Sequence, residues 1–143
     1  MQVIKPNNYT IEDLKVDQKW QEKIKMTEEM VNSFIKLTGD CALSHVDNAH
    51  AVKMGFERCI LHGFLVNSGY SRILGMFLPG CNTVIHKVQI DMIAPVLVGD
   101  IITYEVKIDK ISPAVKAVHL KLSAVNQKGV LVNKGSAVCV FRL

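Results

Sequence analysis

Residues 61–77 read LHGFLVNSGYSRILGMF, in which Leu61, Phe64, Leu65, Val66, Tyr70, Ile73, Leu74, Met76 and Phe77 are apolar. Wound as an α-helix, they leave almost no polar side, so the helix belongs at the centre of a fold and is expected to be covered on most faces. The run approaches the length of a membrane span, but His62, Asn67, Ser68, Ser71 and Arg72 interrupt it, which favours a buried helix. Glycines at 63, 69 and 75 lower helix propensity and are expected to permit close backbone approach. Leu78-Pro79-Gly80 ends the element.

Everything after Gly80 has the pattern of strands and turns. Residues 83–93 form one strand and Gly99-Asp100 a turn. In the next strand, 101–111, Ile102, Tyr104, Val106 and Ile108 alternate against Ile101, Thr103, Glu105 and Lys107. Ser112-Pro113 interrupts, residues 115–125 alternate again, Asn126-Gln127-Lys128-Gly129 turns a hairpin, and 130–141 is the last strand. Four strands joined by short turns predict antiparallel neighbours.

Upstream, residues 20–26 alternate as a half-buried strand. Thr27 is a helix N-cap, with Glu28 and Glu29 in the first turn and Met30, Val31, Phe34, Ile35 and Leu37 on the apolar face. Gly39 ends that helix in the left-handed conformation, leaving residues 40–45 as a connecting loop. Asp47 or Asn48 caps a short helix to about Lys53, and Gly55 breaks it. Residues 1–19 lack a clear period and are expected to wrap the surface. The sum is one α+β domain, residues 1–143, in which a curved antiparallel sheet wraps a central helix.

Composition narrows the function. A chain of 143 residues, 49% hydrophobic and 21% charged, buries roughly two thirds of its unfolded surface and needs no staple. The net charge of +4 with only 6% aromatic residues lacks the basic groove and stacking platform of a nucleic-acid binder. Cysteines at 41, 59, 81 and 139 have irregular spacing in apolar surroundings and nothing like a signal peptide precedes them, which predicts free thiols in a reducing cytoplasm.

Two places could carry chemistry. Asp40 and His45, five residues apart after Gly39, would point apart on a helix but can share one water in an irregular loop, as a general acid–base pair does. Equally, Asp40 could only cap the backbone. His62-Gly63 opens the central helix, where unpaired amides stabilise negative charge, so the Gly63 N–H could hold a thioester carbonyl as it becomes enolate-like. The alternative is that Gly63 permits tight packing and His62 bonds a carbonyl. Ser68 has no base beside it and suits a pocket wall better than a nucleophile elbow. Cys41-x3-His45 and Cys59-x2-His62 are possible soft ligand pairs, but neither lies in a knuckle-like turn, and no metal is expected.

The segment Phe34-Ile35-Lys36-Leu37-Thr38-Gly39-Asp40, with His45 and Ala51, resembles the signature of the MaoC-like (R)-specific enoyl-CoA hydratases. Phe56-Glu57-Arg58, His62-Gly63-Phe64-Leu65, Ser68, Leu74-Gly75, Leu78-Pro79-Gly80, Pro95-Val96, Gly99-Asp100 and Asn126-Gln127-Lys128-Gly129 continue it in order through residues 20–143. The resemblance implies a hot-dog fold with the catalytic pair on an overhanging loop, and an enoyl-thioester hydratase or 3-hydroxyacyl-thioester dehydratase. In it Asp40 and His45 activate the water added to C3, Gly63 polarises the carbonyl, and His62 and Ser68 help bind substrate. Coenzyme A or acyl carrier protein would enter as part of the substrate, with no other cofactor, and the protein would be a homodimer away from nucleic acid and membranes. Hydrolysis of an acyl-CoA thioester, or acyl-thioester binding without turnover, are the alternatives. Ala42-Leu43-Ser44 stands where the family usually has Asn-Pro and an aliphatic residue, so the geometry of the pair must be supported some other way.

Overall fold

The computed structural model describes residues 4–143. Its framework is a five-stranded antiparallel sheet in the order β1-β3-β4-β5-β2, built from β1 (Lys19–Lys25), β2 (Thr83–Met92), β3 (Ile101–Ser112), β4 (Ala117–Val125) and β5 (Leu131–Phe141). The alternation in β3 does what its sequence requires. Ile102, Tyr104, Val106 and Ile108 are fully buried, while their neighbours face out, because successive side chains of a strand take opposite faces. Val118, Leu120, Leu122 and Ala124 of β4 continue the same inner surface.

Against that surface lies α4 (Gly63–Met76), which buries Leu65, Val66, Tyr70, Ile73 and Leu74. Burying side chains of this size contributes about 1.5–3 kcal/mol each. Gly69 is the point of closest approach: a Cβ there would come within 2.6 Å of the Tyr104 ring. Gly75 has no such role, since a Cβ on it would meet nothing within 4 Å. The helix is also less covered than its composition predicts. Phe64 is 77% exposed, and Ser68 and Ser71 lie on the same bare side.

The sheet order departs from a simple meander. The last three strands are neighbours in sequence order, but β2 pairs with β5 and β1 with β3, so β2 and β3 do not touch as neighbours. The connection between β2 and β3 crosses the end of the sheet instead. Ile93 and Ala94 bond the Val132 carbonyl, the Val96 carbonyl receives Leu61, and Gly99 and Asp100 exchange bonds with Met26. Pairing with β5 leaves β2 at an edge, with Val84, Ile85, Val88 and Met92 partly open.

The N-terminal segment runs from Ile4 through a 3-10 turn at Ile11–Asp13, while Met1 to Val3 lie outside the described residues. It also closes the far end of α4. Asn7 donates to the carbonyls of Met76 and Phe77 and accepts from Cys81, and Leu14 enters the core. Among the described residues no helix is long and apolar enough to cross a membrane.

Candidate active site

The site starts where α1 (Glu28–Thr38) stops. Thr27 caps the helix by accepting from Met30, and Gly39 ends it at φ 75°, its N–H bonded to the Ile35 carbonyl at 2.7 Å. Glycine takes that conformation without the clash a Cβ would bring. The chain then turns through Asp40. Its N–H bonds the Thr38 hydroxyl at 3.2 Å, and its Oδ1 accepts from the Ala42 N–H at 3.2 Å. Asp40 does cap the backbone, yet half of its side-chain surface stays open and its second oxygen, 3.9 Å from His62 Nε2, has no hydrogen-bond partner among the described residues.

His45 does not lie in a plain loop. It occupies a single helical turn, α2 (Leu43–Val46), begun by the bond from its own N–H to the Ala42 carbonyl at 2.8 Å. A turn this short has no stability alone, and the support comes from residues 59–62. The Ile60 N–H donates to the Ser44 carbonyl at 3.1 Å, and His45 Nδ1 bonds the Ile60 carbonyl at 2.7 Å. Cys59 donates to Asn48 Oδ1 at 2.9 Å at the start of α3 (Asn48–Lys53), which Asp47 caps. His62 Nε2 bonds the Asp40 carbonyl at 2.9 Å. On its other side this strap is tied to the core by Leu61 to Val96 at 2.8 Å. These bonds hold Asp40 and His45 in a segment that has no proline at Ala42-Leu43-Ser44.

A carbonyl can only accept, so both ring assignments follow. His45 carries hydrogen on Nδ1, and in the neutral ring its Nε2 keeps its lone pair. His62 carries hydrogen on Nε2, and its Nδ1 is buried without a partner among the described residues. The His45 and His62 rings stack with centroids 3.9 Å apart, and Phe34 lies 4.9 Å from His62 on the opposite flank. His62 is therefore a buried support, 2% exposed, and does not line the cavity where it was expected to touch substrate.

One polar side-chain atom from each of Asp40, His45 and His62 lies within 4.8 Å of the other two. One water can bridge groups up to about 5.6 Å apart, at two hydrogen-bond lengths, so Asp40 and His45 are close enough to share it. Donors to one zinc or similar ion lie within about 4.2 Å of each other. The trio would have to contract to hold a metal, and two of its nitrogens already bond carbonyls.

His45 opens on a cavity of about 390 Å³ whose wall includes Phe56, Gly63, Val66, Asn67, Met92 and Asn133. The Gly63 N–H, first in α4, has no partner among the described residues and carries the positive end of the helix dipole. The Met92 thioether occupies the space where a Cβ on Gly63 would stand. Ser68 lies elsewhere: its hydroxyl bonds the Leu65 carbonyl at 2.6 Å, and it lines a second cavity of about 440 Å³ with Phe64, Val88 and Met92. Sequence reasoning missed Ile60, whose contribution is purely backbone, and Asn133, whose signal was an amide inside an apolar strand.

With this geometry in view, the comparisons with known proteins agree closely. Residues 12–127 match the sequence profile of the MaoC like domain. The chain is 32% identical over 127 residues to the (R)-specific enoyl-CoA hydratase of Aeromonas caviae, covering 89% of this chain and 95% of that protein. It is 30% identical to the mitochondrial 3-hydroxyacyl-[acyl-carrier-protein] dehydratase FERN of Solanum lycopersicum, covering 90% of this chain and 78% of the relative. A solved structure of the (R)-hydratase from A. caviae involved in PHA biosynthesis superposes with a TM-score of 0.84 at 32% identity, covering 90% of this chain and 97% of the other.

Proposed function

This chain belongs to the MaoC-like domain family, and from that premise we propose that Asp40 and His45 add water to a 2-enoyl thioester and remove it again. The protein is a hot-dog hydro-lyase: an enoyl-thioester hydratase, or in the other direction a 3-hydroxyacyl-thioester dehydratase. The single observation that supports the roles is the bond from His45 Nδ1 to the Ile60 carbonyl, which leaves Nε2 as the proton acceptor beside Asp40.

His45 Nε2 takes one hydrogen of the water while the Asp40 carboxylate accepts the other and fixes its direction. The oxygen bonds to C3, and the electron pair of the C2–C3 double bond moves to the thioester oxygen. That enolate meets the Gly63 N–H at the positive end of α4, a preorganised donor for charge that develops only in the transition state. Return of the proton from His45 to C2 completes the addition, with the (R)-configuration at C3 carried over from the relatives. The steps need no metal or redox cofactor. Coenzyme A or acyl carrier protein enters only as the thiol half of the substrate, and the four free cysteines suit a reducing cytoplasm.

The assembly in this proposal is a homodimer. Phe64 and the Ile85, Val88 and Met92 side chains of the β2 edge line the second cavity beside Ser68 and Ser71, and an unpaired edge of this kind is a template for another strand.

Crotonyl-CoA tests the chemistry. The expected result is loss of the conjugated enoyl absorbance with formation of 3-hydroxybutyryl-CoA, reduced about 10²–10⁴-fold by Asp40→Asn or His45→Ala. Release of free thiol without hydrated product would make the protein a thioesterase. Binding with no turnover would make it an acyl-thioester carrier.

A further inference from the structure

The wall of the catalytic cavity contains a polar chain that the hydration step does not use. Tyr70, 2% exposed, donates its hydroxyl to Asn133 Oδ1 at 2.6 Å. Asn133, 1% exposed, donates through Nδ2 to Asn67 Oδ1 at 3.0 Å. With the Tyr70 hydroxyl donating to Asn133 Oδ1 and Asn133 Nδ2 donating to Asn67 Oδ1, each amide carbonyl accepts, and the chain ends on the Asn67 NH2, which has no partner among the described residues.

A tie between α4 and β5 would be complete with Tyr70 and Asn133 alone. Asn67 extends it to a half-exposed amide beside Val66, Met92 and Val132, an open donor in a largely apolar wall. Asn67 and Met92 also form the wall shared by the two cavities. An acyl chain leaving the thioester at Gly63 therefore passes Asn67 whichever cavity it enters. The residue lies one helical turn on, about 6 Å along the axis, the reach of a short acyl chain.

We propose that Asn67 selects the acyl group, donating its amide hydrogens to an acceptor oxygen such as a hydroxyl, keto or ether group a few carbons beyond C3. Preferred substrates are then oxygenated enoyl thioesters rather than plain alkyl ones. This rests on the hydratase function proposed above. Asn133 and Tyr70 are positioning residues, since the Asn133 amide atoms are taken up by Tyr70 and Asn67 and the Tyr70 hydroxyl by Asn133.

The test compares kcat/KM for hex-2-enoyl-CoA and for hex-2-enoyl-CoA hydroxylated on C5 or C6. Wild-type protein is expected to favour a hydroxylated substrate by about tenfold or more, because a site built to bond an oxygen rejects the analogue lacking it. Asn67→Leu is expected to invert the preference, and Asn133→Val to weaken it by loosening the amide. Wild-type preference for the plain chain overturns the proposal without any variant, as does a hydroxyl preference that Asn67→Leu leaves intact. Crotonyl-CoA with the wild-type protein separates the two levels. No hydration of it refutes the hydratase function, whereas hydration together with a plain-chain preference refutes only the selection by Asn67.

Discussion

Replacing His62 by phenylalanine should separate stability from activity. The ring would still stack between Phe34 and His45, but the bond to the Asp40 carbonyl would be lost. A hydrogen bond of this kind contributes about 0.5–1.5 kcal/mol net, and the Asp40 segment is open enough for water to replace the donor, which places the loss at the low end. Against it stands Nδ1, buried and unpartnered. Its removal relieves a penalty of about 1–3 kcal/mol, and the slightly larger phenyl ring costs part of that back. The balance is close to zero, so the melting temperature should move by no more than a few degrees.

Activity should not be spared. Asp40 would keep its caps to Thr38 and Ala42 but lose the strap's hold, and a misplacement near 1 Å costs about 10²-fold. The expected pattern with crotonyl-CoA is a fall in kcat of about 10–100-fold with little change in KM, since the cavity wall is untouched. His62→Gln, whose amide can reach the same carbonyl, should restore part of it. A His62→Phe protein that unfolds more than 10 °C lower while its folded fraction turns over normally would show His62 to be only a core residue. A His62→Phe protein as active as the His62→Gln protein would refute the role of the bond.

A charged group at the bare face tests the dimer: Phe64→Glu should halve the mass measured by light scattering at micromolar concentration, and a wild-type protein already monomeric would refute that assembly. Gly69→Ala and Gly75→Ala should have opposite signs. The first drives a methyl into the fully buried Tyr104, fixed through its hydroxyl to the Val66 carbonyl at 2.6 Å, costing about 1–3 kcal/mol, offset by up to about 1 kcal/mol of helix propensity. The second enters open space and should stabilise by about 0.5–1 kcal/mol, both read by chemical denaturation. Among the thiols, Cys41 and Cys81 are exposed and should react with a disulfide reagent in the native protein, whereas burial pushes Cys139 up to about 12 and it should react only on unfolding.

What was legible in the chain was what short-range chemistry decides. Thr27 and Gly39 bound α1 through groups three or four residues away, and the inner row Ile102, Tyr104, Val106 and Ile108 follows from alternation alone. The pairing of β2 with β5 was not legible, because Thr83 and its partner Phe141 are 58 residues apart in the chain and no local pattern names the partner of an edge strand. The bare side of α4 escaped for a related reason. Phe64 reads as core by composition, and only the placement of β2 leaves it uncovered. In the site, Asp40, His45 and Gly63 could be picked out by their chemistry. Ile60 could not, because it acts through backbone atoms, and Asn67 with Asn133 could not, because they are 66 residues apart.

The strap at residues 59–62 gives the catalytic loop a stability of its own. Its bonds to Asn48, Ser44, His45 and Asp40 span 11 to 22 residues and involve no strand of the sheet. Such a unit can open and reclose while the sheet stays intact, as sub-global openings do in native proteins. The amide hydrogens of Cys59 and Ile60 should therefore exchange together and faster than those of β3 and β4. A thioester that bridges Gly63 and His45 would slow both at once, making the exchange of two backbone hydrogens a direct gauge of how tightly the substrate closes its own site.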